Sequence, residues 1–164
     1  MSYKVEKDWK LNGLRCVVMM TDLGHRCGYV GISKENKLYK VGYSDKPKFL
    51  QKELKKLKKS DIGKRGILSV FCWNGEEVSP EILFDVHGGI TFSGGGYHSK
   101  YPVRSNLWWF GYDCAHAGDG KDLSNVNDAV RKVARMFPNT DPIRSLEYCI
   151  VECESLVKQI KLLT

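Results

Sequence analysis

A stripe of apolar residues near the C-terminus constrains the fold most: Ile143, Leu146, Ile150, Cys153, Val157 and Ile160. Spacings of three and four place them on one face of an α-helix, and a helix with one apolar face needs something to cover it. The rest of the chain offers β-rich runs for that purpose. Residues 14–20 (LRCVVMM) are almost wholly apolar, the pattern of a buried strand, and residues 26–32 (RCGYVGI) follow a turn at Asp22-Leu23-Gly24. Gly28 and Gly31 interrupt that second run and suggest a bulge or a close backbone approach. Residues 37–43 read as a short strand or an extended loop. Residues 67–73 (ILSVFCW) read as a strand entering the turn signal Asn74-Gly75, and residues 108–114 (WWFGYDC) as another. A helix over residues 124–136 has Ser124 at its N-cap, Asp128 in its first turns and a stripe of Val126, Val130, Val133 and Phe137. Pro138-Asn139 ends it. Thr140 or Asp141 then caps the last helix, with Pro142 at its first position. The expected class is α+β: a mostly antiparallel β-sheet with the C-terminal helices packed on one face. A length of 164 residues suits a single domain.

The formal charge of +7 is unevenly placed. Residues 46–65 hold nine Lys and Arg against Glu53 and Asp61, which accounts for the whole excess. Segment 46–66 therefore reads as an insertion on a neutral body. Leu50, Leu54 and Leu57 give it an amphipathic helical pattern. The plain reading is a solvated surface helix. The sharper one makes Lys55 and Lys56 part of an electrostatic lure for a polyanion or nucleotide. Phe49 is its only aromatic residue, so a dedicated nucleic-acid groove is not favoured. The six cysteines lie mostly in apolar runs and form no CxxC pair, which fits reduced, buried side chains better than a zinc ribbon. The charged start MSYKVEKDWK has no apolar signal core, and no run approaches the ~18 apolar residues of a membrane span. A cytoplasmic protein without membrane contact is expected.

The chemistry is concentrated in residues 83–120, which hold three of the four histidines and two of the four tryptophans. In Asp85-Val86-His87 the two polar side chains share one face of a strand, and Gly88-Gly89 then lets the backbone turn tightly or approach a ligand. Asp113 sits at the end of the 108–114 strand, with His116 and Asp119 in the glycine-rich loop beyond it, where functional groups commonly sit. The candidate catalytic set is His87, His116, Asp85, Asp113 and Asp119. As a metal site, His87, His116, Asp113 and Asp119 would hold a divalent zinc, manganese or iron ion. As a metal-free site, the two histidines would act as acid and base, each oriented by an aspartate. As a binding site, Tyr97, Trp108, Trp109 and Tyr112 would stack on a base while the Gly88 and Gly89 amides meet phosphate. His98 falls in a Gly-Tyr-His-Ser loop that reads as a mobile lid. A single Asp or His near a turn is more often a cap than a catalyst, and at least one of Trp108 and Trp109 belongs to the core. The joint density lifts the group above its members. Cys114 beside His116 is a minor candidate nucleophile.

The paired motifs DVHGGITF and WWFGYDCAHAGD, followed by LEYCIVECESL, resemble a family of small proteins encoded by bacteriophages and prophages. The resemblance covers GYVGI at residues 28–32 and then residues 82–156, and leaves out the lysine-rich segment. It implies an anti-defence protein acting in the host cytoplasm on a nucleotide immune signal, such as a cyclic dinucleotide. Hydrolysis is expected over sequestration, because three His and three Asp exceed what stacking recognition needs. The alternatives are a non-catalytic sponge, a metal-dependent hydrolase of another substrate, and a nucleic-acid- or protein-binding module using the basic helix. The expected partner is a small nucleotide, and a homo-oligomer fits the same setting.

Overall fold

The computed structural model describes residues 2–57, 70–71, 73–96, 100–124, 126–138 and 140–163. Strands β1 (Tyr3–Leu11), β2 (Leu14–Thr21), β3 (Arg26–Ile32), β4 (Phe92–Gly95) and β5 (Trp108–Asp113) form an antiparallel sheet in the order β1-β2-β3-β5-β4. Helices α1 (Pro80–Leu83), α2 (Asp128–Met136) and α3 (Leu146–Leu163) follow in the chain. The long α3 packs across β1, β2 and β3. The class is α+β, as expected.

The core explains why β2 reads as one apolar run rather than an alternation: both faces of the sheet are covered. Leu14, Cys16, Val18, Val30, Ile32, Phe110 and Tyr112 face α3, which buries Cys149, Cys153, Leu156, Val157 and Ile160 against them. Val17, Met19, Cys27, Tyr29 and Trp109 face the other way, under Phe92, Val103 and Leu107. On that side the Tyr29 hydroxyl bonds the Tyr101 hydroxyl. Gly28 marks a close approach and not a bulge. The Tyr112 side chain lies where a Cβ would project, and its hydroxyl donates to the Cys149 carbonyl at 2.7 Å. Sheet and helix are thereby tied through one phenol. The five described cysteines are free and buried, whereas Cys72 lies outside the described residues. Among the described residues no helix is long and apolar enough to cross a membrane.

Several elements differ from their sequence pattern. β1 escapes it because it is a lysine-rich edge strand, exposed over much of its length. It is turned onto β2 by Asn12 and Gly13, both at positive φ (49° and 82°), as two-residue hairpins require. Segment 46–66 is not an α-helix in its described part. Lys48–Lys56 is a 3-10 helix in which only Leu50 of the leucine stripe is buried. The Gln51 side chain bonds the Pro47 carbonyl and both backbone groups of Val78, fixing the segment from outside. Of the strand expected over 67–73, only Val70, Phe71 and Trp73 are described; Val70 and Phe71 have helical backbone and are exposed. Residues 37–43 form turns and loop, the second of the two expectations for that run. Residues 84–91 run as a loop beneath α3 rather than a strand. α2 starts at Asp128, with the Asn127 side chain accepting from the Val130 amide, while Ser124 bonds Asp122 instead. α3 starts at Leu146, not at Pro142, because the chain first pairs Ile143 with Gly120 in a short parallel bridge. The Ser145 hydroxyl then accepts from the Tyr148 amide.

The packing of α3 predicts that Leu156→Ala, at a fully buried position, costs about 2–5 kcal/mol through lost contacts and a residual cavity. Urea unfolding followed by circular dichroism measures it.

Candidate active site

The functional cluster forms where β5 ends beside the start of β3, since Asp113 pairs with Cys27 across the sheet. Three pieces of chain converge there. The loop after α1 brings His87, the loop after β5 brings His116 and Asp119, and α3 with the segment leading into it brings Arg144, Tyr148 and Glu152.

Asp119 is the hub, with a side chain only 2% exposed. One oxygen accepts from Arg144 Nε at 2.7 Å, and the other from His87 Nε2 at 2.8 Å and the His116 amide at 3.0 Å. Burial works against its charge, but the donors from Arg144, His87 and His116 outweigh burial and hold its carboxyl below the ordinary range. An ionised carboxylate only accepts, so His87 carries its hydrogen on Nε2. In the neutral ring Nδ1 is then the acceptor for the Tyr148 hydroxyl, 3.0 Å away. Burial, with Glu152 nearby, pushes the Tyr148 hydroxyl up to about 12, so it stays a phenol at neutral pH. Glu152 also takes the His87 amide at 2.7 Å. The Arg144 guanidinium lies over the Tyr148 ring, 5.3 Å from its centroid.

His116 lies edge-on to His87, with ring centroids 5.5 Å apart. Its Nδ1 is buried without a hydrogen-bond partner, 3.7 Å from Asp119 and 4.0 Å from Asp113. Gly88 makes this position available. Its φ of +66° suits glycine, and a Cβ there would collide with the His116 ring. Gly89 turns the chain with its amide already bonded to the Val86 carbonyl, so that amide is not available for phosphate.

Of the sequence candidates, His87, His116 and Asp119 come together. Asp113 stands beside them, but its oxygens cap the Ala115 amide and accept from the Thr91 hydroxyl. Asp85 is exposed and apart, because its segment is not a strand; its backbone pairs with the Gln159 side chain on α3. Trp109 and Tyr112 are fully buried core residues. Trp108 lies at the other end of β5, roughly 17 Å away at ~3.4 Å per residue, with its indole donating to the Val41 carbonyl. Lys55 is exposed and Lys56 pairs with Glu53 at 2.7 Å. Among the described residues no hydrogen bond or ion pair links either lysine to the cluster. Tyr97 and His98 lie outside the described residues. Cys114 turns inward to Cys149, 3.8 Å between sulfurs, and this hydrogen bond together with burial pushes its thiol well up. That environment does not suit a nucleophile.

Sequence reading missed Arg144, Tyr148 and Glu152. Tyr148 and Glu152, four apart, are a polar stripe on the last helix, hidden behind its apolar side, and Arg144 stands just ahead of that helix. His25 lies on the β2–β3 turn, bonded through Nδ1 to the Thr21 hydroxyl at 3.3 Å. Burial pushes it below its ordinary value, against the opposing pull of Asp113 and Asp119. Compared with known proteins, the chain matches no family model, no curated protein and no solved structure.

Gly88→Ala is expected to cost about 1–2 kcal/mol from the left-handed backbone alone, and to displace the His116 ring; its ring-proton NMR resonances report the shift. A second expectation concerns acid. Asp119 has a folded pKa below its unfolded one, so its stabilisation is present above the ordinary carboxylate range and lost as pH falls through the folded value. The melting-temperature gap between wild type and Asp119→Asn therefore narrows below about pH 4.

Proposed function

We propose that this cluster is the centre of a hydrolase that cleaves a phosphodiester bond in a nucleotide immune signal, the function implied by the phage-protein resemblance. The observation that carries the reading is His87 held between a phenol and a buried carboxylate, beside a second histidine with an unpaired ring nitrogen. A group that gives or takes protons, a base beside it and a third group orienting the base are the parts that acid–base catalysis needs. In this reading water is activated on the His116 side. Tyr148, kept protonated and backed by His87 and Asp119, donates to the leaving oxygen. Arg144 adds positive charge at the rim for a phosphate.

The core positions of Trp109 and Tyr112 favour hydrolysis over sequestration. The stacking platform that a sponge would draw from these two residues is packed inside the protein.

Incubation with a panel of cyclic dinucleotides and with bis-p-nitrophenyl phosphate, followed by chromatography, is expected to yield linear or cleaved products. His87→Ala and His116→Ala are expected to lower the rate by about 100-fold or more, and Trp108→Ala to leave it nearly unchanged. Ligand recovered intact after heat denaturation of the protein would replace the hydrolase with a sequestering protein.

A further inference from the structure

The geometry points to a single divalent transition-metal ion held by His87 Nε2, His116 Nδ1 and an Asp119 oxygen. The ligand atoms of these residues lie within 4.8 Å of one another. Small ring and carboxylate rotations bring such a set to the roughly 2.0–2.2 Å ion–ligand distances of imidazole and carboxylate donors.

Three observations argue for an ion in addition to a hydrogen-bonded cluster. His116 Nδ1 is a buried polar atom without a partner, facing two carboxylates. A ring nitrogen facing two carboxylates needs positive charge on it, from a proton or a bound cation, and at 3.7 and 4.0 Å its N–H would reach neither carboxylate in a normal hydrogen bond. The far side of the other ligands is also tied down, His87 Nδ1 by Tyr148 and the second Asp119 oxygen by Arg144. Outer hydrogen bonds of this kind orient the ligands of metal sites. Finally, two imidazoles and one carboxylate leave coordination positions open, the donor set of catalytic zinc and of non-haem iron(II) rather than of a closed structural site. The thiol of Cys114, two residues before His116, is turned away into the core.

Binding at His87 needs only a change of tautomer. The Nε2 hydrogen is replaced by the ion, Nδ1 gains one, and the ring then donates to the Tyr148 oxygen instead of accepting from it. The inference rests on the hydrolytic reading only for its chemistry: the ion would supply the water activation placed above on the His116 side.

Protein stripped with a chelator and titrated with zinc chloride in a calorimeter is expected to bind one ion per chain. Cobalt(II) in its place reports a protein-bound coordination sphere through its visible spectrum. Asp119→Asn and His116→Gln are expected to weaken binding by roughly 100-fold or more, and Tyr148→Phe by about 10–100-fold, with unchanged circular dichroism. No stoichiometric binding by wild type overturns the site, as does a folded His116→Gln variant that binds as tightly as wild type. One ion bound at these residues without phosphodiester cleavage upholds the metal site and removes the hydrolase reading. Full-rate cleavage by chelated, ion-free protein upholds the hydrolase reading and overturns the ion's part in water activation.

Discussion

A carboxylate almost cut off from water stays charged only where donors replace the water, and Asp119 is such a group. Three of its donors come from three parts of the chain: the loop after α1, its own loop, and the segment leading into α3. Each contact therefore fixes a backbone as well as an electrostatic balance. Arg144 closes the β5 loop onto α3, the His116 amide tightens that loop, and the His87 ring is fixed in orientation and tautomer. Truncating Asp119 would leave a guanidinium and an imidazole facing an unfilled space, and breaking one side of a buried charge pair is costly for that reason.

The sheet places these groups without taking part in their chemistry. β3 and β5 pair along their whole length, so the end of β5 is held rigidly beside the β2–β3 turn that carries His25. The Tyr112 hydroxyl reaches across Gly28 to the Cys149 carbonyl and so sets the height of α3 above the sheet. With that height fixed, Tyr148 and Glu152 meet His87 by both its ring and its amide.

Legibility in the sequence followed the strength of the local pattern. β2, β3, β5 and the buried stripe of α3 were readable because burial writes itself into apolar runs and helical spacing. β1 was not, since an edge strand with a wet face has little apolar signal. The 46–66 segment misled because charge and leucine spacing describe a surface helix, whereas Gln51 and Val78 fix the chain in 3-10 turns. In the site, His87, His116 and Asp119 stood out through their glycine-rich surroundings. Asp85 misled because its placement assumed a strand. Trp109 and Tyr112 misled because aromatic residues beside a site serve a core as readily as a ligand. Tyr148 and Arg144 lie more than 20 residues beyond Asp119, and only the return of α3 across the sheet brings them there.

α3 presents Cys149, Cys153, Leu156, Val157 and Ile160 to the sheet, and Tyr148 and Glu152 to His87. The anchors of the histidine and the largest part of the core thus belong to one helix. Lifting that helix from the sheet would therefore strip His87 of both anchors and uncover the core in one event. Adjustment to a bound molecule falls to the short loops at residues 87–89 and 114–120, while the helix behind them stays still.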